Sequence, residues 1–272
     1  MKYRSLSICL FCLALFCAGC LAPADGNSSK PPTQEVVVFA AASLTDVFAE
    51  RGAAFTASNS QATVTFNFAG SQQLASQLAE GAPASLFASA DQRQMDAAVA
   101  AGRVDPASVA LFACNRLVVV ASGDRVAALS DLATPGVKLV IGADAVPVGA
   151  YSLAFLDAAA ADPAYGQPFR AGVLGNVVSY EQSVRAVLSK VRLGEADAGI
   201  VYATDAQAVA DVAVIEIPTH LNQLAYYQVA PLRDAIAPEM TREFFGFLLS
   251  SEVKSILTQA GFSTDCAAAT PE

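Results

Sequence analysis

Short runs rich in β-branched residues alternate along this chain with stretches whose apolar positions recur at helical spacing. The first cycle reads strand EVVVFA (35–40), a helix from Leu44, strand TVTFNFA (63–69), a helix from Gln72, a short strand LFAS (86–89) and a helix from Gln92. In the first helix Leu44, Val47, Phe48 and Phe55 share one face, and Ser43 stands where an N-cap belongs. Leu74 and Leu78 repeat the pattern behind Ser71, with Gly81 closing the helix. A second cycle follows: strands RLVVVA (116–121) and VKLVIGA (137–143), a helix after Gly149, strand NVVSY (176–180), a helix from Val184 and strand AGIVY (198–202). Two further extended pieces, VAVIEIP (212–218) and YYQVAP (226–231), precede helices around 244–249 and 253–260. This rhythm predicts βαβ units and a largely parallel sheet. The amount of material suggests two α/β lobes, which place ligands in the crevice beyond their strand carboxyl ends.

The two ends of the pattern differ from its middle. Lys2 and Arg4 precede an apolar run over 6–18 that is too short to span a bilayer as a mature helix, so it reads as an export signal. Ala18, Gly19 and Cys20 resemble the end of a bacterial lipobox, which makes 1–19 a lipoprotein signal peptide and Cys20 the lipidated residue. Cys17 stands where that motif usually has leucine, and plain cleavage after Ala18 or Ala22 is the alternative. Residues 20–34, rich in small, polar and proline residues, read as a flexible tether. The expected location is the periplasm or the outer face of the cell membrane.

Composition narrows the partners. With 54% hydrophobic and 15% charged residues the chain is globular rather than disordered. Loss of Lys2 and Arg4 with the signal takes the net charge from −9 to −11. An acidic chain without a basic stripe is a poor partner for nucleic acid, and any anion must be held by local donors against an unfavourable overall field. Cys114 and Cys266 remain after the signal and Cys20 are set aside. In an oxidising compartment they form either a disulfide or two separately buried thiols. No cysteine or histidine cluster has metal-ligand spacing.

Two serines occupy one context. Ser43 ends the turn FAAASL and Ser71 the turn FNFAGSQQL, each at a helix start where unpaired N–H groups and the dipole favour an anion. Either alone is more often a simple helix cap than a ligand contact; the pair, preceded by small residues, shifts the balance toward an oxyanion.

The blocks VFAAASLTD (38–46), GSQQLASQLAEGAP (70–83), ASADQRQMD (88–96), NRLVVVA (115–121), VPVGAY (146–151), SVRAVL (183–188) and GIVYATDA (199–206) together resemble the molybdate-binding family of bacterial ABC importers, in the family's order. The likeness runs over 36–262. It implies a type II periplasmic-binding-protein fold, with lobe one over 35–115 and 225–266, lobe two over 116–224, and two strands as the hinge. It further implies capture of molybdate, and of tungstate, by a monomeric receptor that catalyses nothing, needs no cofactor and delivers its ligand to membrane permease subunits. The implied ligand set is the hydroxyls and amides of Ser43 and Ser71, the amides of Val148 and Val184, and the phenol of Tyr202.

Chemistry agrees with that set. Molybdate is a bare dianion whose four oxygens only accept hydrogen bonds. Seven donors at about 1.5–3 kcal/mol each give about 10–20 kcal/mol before desolvation and closure costs. Micromolar to nanomolar binding, about −8 to −12 kcal/mol, then needs no cationic side chain. A donor-only site also rejects hydrogen phosphate, whose proton would be buried unpaired, whereas sulfate can be excluded only by size.

Three positions depart from the family pattern: GSQQ stands in place of a run of serines, Ser85 in place of an aspartate and read as structural, and Val148 in place of alanine. Arg185 beside the implied site is expected to turn away and pair with an acid. Tyr202 without the family reads as a core tyrosine. His220, the sole histidine, reads as solvated. The alternatives are a receptor for sulfate or another tetrahedral oxyanion and, in a different class, a serine hydrolase with Ser43 as nucleophile and His220 as its base.

Overall fold

The computed structural model describes residues 33–267; the signal segment 1–19, Cys20 and the tether up to 32 lie outside the described residues. Strand β1 (Gln34–Ala41) runs through a short 3-10 turn (Ala42–Leu44) into α1 (Thr45–Ser58), β2 (Ala62–Ala69) into α2 (Ser71–Ala79), and β3 (Leu86–Ser89) into α3 (Gln92–Ala100). The long β4 (Ala110–Ala121) leads to β5 (Leu139–Gly142), α4 (Pro147–Ala161), α5 (Gly166–Gly175), β6 (Val177–Glu181), α6 (Val184–Arg192), β7 (Ala198–Tyr202) and the single turn α7 (Ala203–Gln207). Strands β8 (Ala213–Glu216) and β9 (Leu224–Pro231) and helices α8 (Pro238–Leu248) and α9 (Ser251–Gln259) complete the chain.

The strands lie in the order β2-β1-β3-β9-β4-β7-β5-β6, with β8 beside β4. β1 pairs in parallel with β2 and β3, and β5 with β6 and β7, as the βαβ rhythm requires. The other four pairings, β9 with β3 and β4 with β7, β8 and β9, are antiparallel and join the two sets, so the sheet is mixed rather than largely parallel as expected. The first part of β4, up to Arg116, pairs with β9, while Leu117–Ala121 pairs with β7 and β8. One strand therefore links both strand sets, pairing directly with β7 and through β9 with β3.

Burial follows the expected faces. Leu44, Val47, Phe48 and Phe55 are all buried, and Phe55 meets Phe244 of α8 edge-on at 4.9 Å. Three expectations are corrected. β4 starts at Ala110, six residues before the expected strand, because ALFACN pairs with β9 across a bulge. α4 starts at Pro147 rather than after Gly149. A Cβ on Gly149 would lie 2.0 Å from the Ala143 carbonyl oxygen, so this glycine is kept for close approach rather than for a turn. α5 went unforeseen because Pro168 and its glycines obscure the helical period.

Candidate functional site

The turns at the carboxyl ends of β1, β2, β3, β5, β6 and β7 line one cavity, formed by residues 41–43, 69–71, 90, 146–148, 183–184 and 202. Ser43, Ser71, Val148, Val184 and Tyr202 thus come together from five separate places in the chain. The space is small. About 20 Å³ is free to the centre of a water-sized molecule, somewhat more than the ~10–15 Å³ that one ordered water needs. A compact ion fits such a space; a sugar or peptide does not.

Four helices begin in its wall. Ser43 is the middle residue of the 3-10 turn that enters α1, Ser71 is the first residue of α2, Val148 the second of α4 and Val184 the first of α6. First-turn amides have no intrahelical acceptor, and each helix start carries about half a positive charge. Pro147 has no N–H, so Val148 is the first donor that α4 can offer. Neither serine is a cap: the preceding positions Ala41 and Gly70 are, and neither hydroxyl closes its own helix. That corrects the capping expectation and leaves both hydroxyls for other partners.

Those partners are informative. Ser71 Oγ accepts the Ala90 amide at 3.1 Å, and Ser43 Oγ lies 2.8 Å from the Tyr227 hydroxyl, which can donate to it. An oxygen held as an acceptor leaves its own hydrogen to point elsewhere. Tyr227 was not singled out in the sequence; its only signal was its place in the strand YYQVAP. Its ring packs edge-on against Tyr202 at 5.9 Å. The Tyr202 hydroxyl is fully buried and has no hydrogen-bond partner among the described residues. Burial first, and the nearby Tyr227 second, hold its pKa well above the ordinary phenol value, so it remains a proton donor. An orphan buried donor costs about 1–3 kcal/mol unless something accepts from it.

No charged side chain lines this cavity among the described residues. Arg185 turns aside, as expected. Its Nη2 donates to Asp46 Oδ2 at 2.6 Å, and its Nε lies 2.7 Å from Asp205 Oδ1, close enough for an ion pair though not aligned as a hydrogen bond. Asp205 is fully buried, and desolvation lifts its pKa to about 7 against the opposing pull of Arg185. His220 is exposed and bound to Asp162 at 3.0 Å, outside the cavity lining, so Ser43 has no base and the hydrolase alternative loses its chemistry. Ser85 is buried in the bend just before β3, where its Oγ accepts the Val37 amide at 3.2 Å, a structural role.

A larger cavity, of about 530 Å³ on the same measure, opens beside the Cys114–Cys266 disulfide. Arg116 and Glu216 in its wall pair with one another, and no helix begins there, so it lacks the donor set of the small cavity.

Strands that converge two sets of helix starts on a small, uncharged pocket suit a protein of the extracellular solute-binding class. The chain belongs to the bacterial extracellular solute-binding protein family, whose model matches residues 36–263. Within it, the similarity falls on the molybdate-binding protein ModA. The ModA of Mycobacterium tuberculosis H37Rv is 37% identical over 253 residues, 90% of this chain and 91% of that one. Among solved structures, the periplasmic molybdate-binding protein of Azotobacter vinelandii aligns with a TM-score of 0.72 at 19% identity, covering 84% of this chain and 98% of that one. The sulfate-binding protein SubI of M. tuberculosis H37Rv aligns with a TM-score of 0.74 at 19% identity, covering 87% and 89%. Both carry the same periplasmic-binding-protein fold.

Proposed function

We propose that this chain captures molybdate, and tungstate with it, outside the cytoplasmic membrane and hands it to the permease subunits of an ABC importer. The observation that carries the reading is the buried, unpartnered hydroxyl of Tyr202, a residue in the wall of a pocket where four helix starts and two held serine hydroxyls converge without a cation. Such a pocket suits a ligand that only accepts. Ser43, Ser71, Val148, Val184 and Tyr202 are its ligands in this reading, Ser43 and Ser71 from one lobe (35–115 with 225–266) and the others from the second (116–224). β4 and β9 serve as hinge strands, and the anion, touching both lobes, selects the closed state.

A lipid on Cys20, following cleavage of 1–19, keeps the receptor, as a monomer, near its transporter. Intact-mass analysis of the membrane-extracted chain checks this. The ligand is checked by thermal shift. At a hundredfold excess over Kd a ligand adds about 2.7 kcal/mol, a rise of roughly 5–10 °C for a chain of this size. A rise with sulfate and none with molybdate would move the reading to the sulfate alternative, which the same donor-only chemistry supports.

A further inference from the structure

Around the cavity the two halves touch through side chains that do not line it. Arg93, in the first turn of α3, donates from Nη2 to the carbonyls of Asp144 at 2.8 Å and Ala145 at 2.9 Å. Gln94 Nε2 reaches the same Ala145 carbonyl at 3.2 Å. These carbonyls stand immediately before Val146, so the bonds hold the turn that presents Val148. On another side Arg185 of α6 spans to Asp46 of α1 at 2.6 Å, and Gln72 Nε2 donates to the Gln182 carbonyl at 2.9 Å. Each of these crossings uses a chain neighbour of the lining: Ala145 precedes Val146, Arg185 follows Val184, Gln72 follows Ser71 and Gln182 precedes Ser183.

We propose that Arg93 and Arg185 are positioning residues, clasps that hold the two halves closed over the anion without touching it. The proposal rests on the closing two-lobe reading above. The single Nη2 of Arg93 holds two neighbouring carbonyls across the cleft. Arg185 is already fixed within its own half by Asp205, so little side-chain freedom is lost when Asp46 arrives. Both clasps exist only in the closed state. They therefore govern how fast the anion leaves, and leave its encounter with the open cleft unchanged.

The test is rapid-mixing kinetics with molybdate on the mature chain, read by tyrosine fluorescence. Arg93→Ala should speed dissociation about 10-fold, since two solvent-exposed hydrogen bonds of ordinary strength are lost, and Arg93→Lys should recover part of it. Asp46→Asn should speed dissociation about 2- to 5-fold, the range of an exposed ion pair. Association should stay at the wild-type rate, and ligand-free melting temperatures should stay within about 2 °C. Raising salt from about 0.02 to 0.5 M should hasten release from wild type and not from Asp46→Asn. Wild-type release rates in both Arg93→Ala and Asp46→Asn, with wild type binding normally, would overturn the clasps alone. A wild type that ignores molybdate would overturn the ligand reading and the clasps with it.

Discussion

The hydroxyl oxygens of Ser43 and Tyr227 lie 2.8 Å apart, a contact between residues 184 positions distant that joins the turn after β1 to strand β9. Tyr227 is fully buried and Ser43 nearly so, which places the contact away from bulk solvent. If Tyr227 donates, Ser43 is left with its proton facing the cavity. Tyr227→Phe is therefore expected to cost about 1 kcal/mol of stability and about 3- to 10-fold in molybdate affinity. Chemical denaturation and calorimetry on the same variant check both.

Ser43→Ala removes the ligand hydroxyl itself. The expected loss is about 1–3 kcal/mol, or 5- to 150-fold in affinity. A variant with unchanged affinity would take that hydroxyl out of the ligand set.

Tyr202→Phe should separate stability from binding. The Tyr202 hydroxyl has no partner among the described residues, so the ligand-free chain has no internal hydrogen bond to lose, and its melting temperature should hold or rise by up to about 10 °C as the orphan donor is removed. Molybdate affinity should fall by about 10- to 100-fold, as a donor reserved for the anion disappears. A fall in ligand-free stability with affinity intact would make Tyr202 a core residue and nothing more.

Asp205 gives a pH dependence whose sign follows from burial. Its pKa is raised from 3.8 to about 7, so the folded chain binds this proton more tightly than the unfolded one. Its contribution to stability is full below about pH 4, declines as pH climbs toward 7, and is level above that. Asp205→Asn should flatten that stretch of the stability–pH curve, measured by denaturation at fixed pH values.

The disulfide between Cys114 and Cys266 closes a loop of 152 residues in sequence separation. Reduction, or the paired serine substitution, should remove about 2–5 kcal/mol of stability, equivalent to roughly 4–20 °C in melting temperature. Both cysteines lie outside the small cavity, so molybdate affinity should be preserved.

Legibility in the sequence tracked the range of the interaction. LFAS and AGIVY became strands with the bounds expected, because a short β-branched or apolar run between turn residues carries its own signal. The five cavity residues were named through family blocks, each local to its own turn. What escaped depends on distant partners. ALFACN is a strand only because β9 lies beside it, and Gly149 looks like a helix boundary until the Ala143 carbonyl is placed against it. Ser43 and Ser71 looked like caps because Ser is a good cap. Their hydroxyls are instead spoken for by Tyr227 and Ala90, which no local pattern reveals. The bonds from Arg93 to Asp144 and Ala145 are likewise invisible until the halves meet.

The most direct test of the uncharged-donor site is titration calorimetry of the mature chain with molybdate and, separately, with sulfate. The account requires molybdate to bind at micromolar affinity or tighter, about −8 kcal/mol or better, with sulfate at least tenfold weaker. No heat with molybdate, or equal affinity for the two anions, would contradict it.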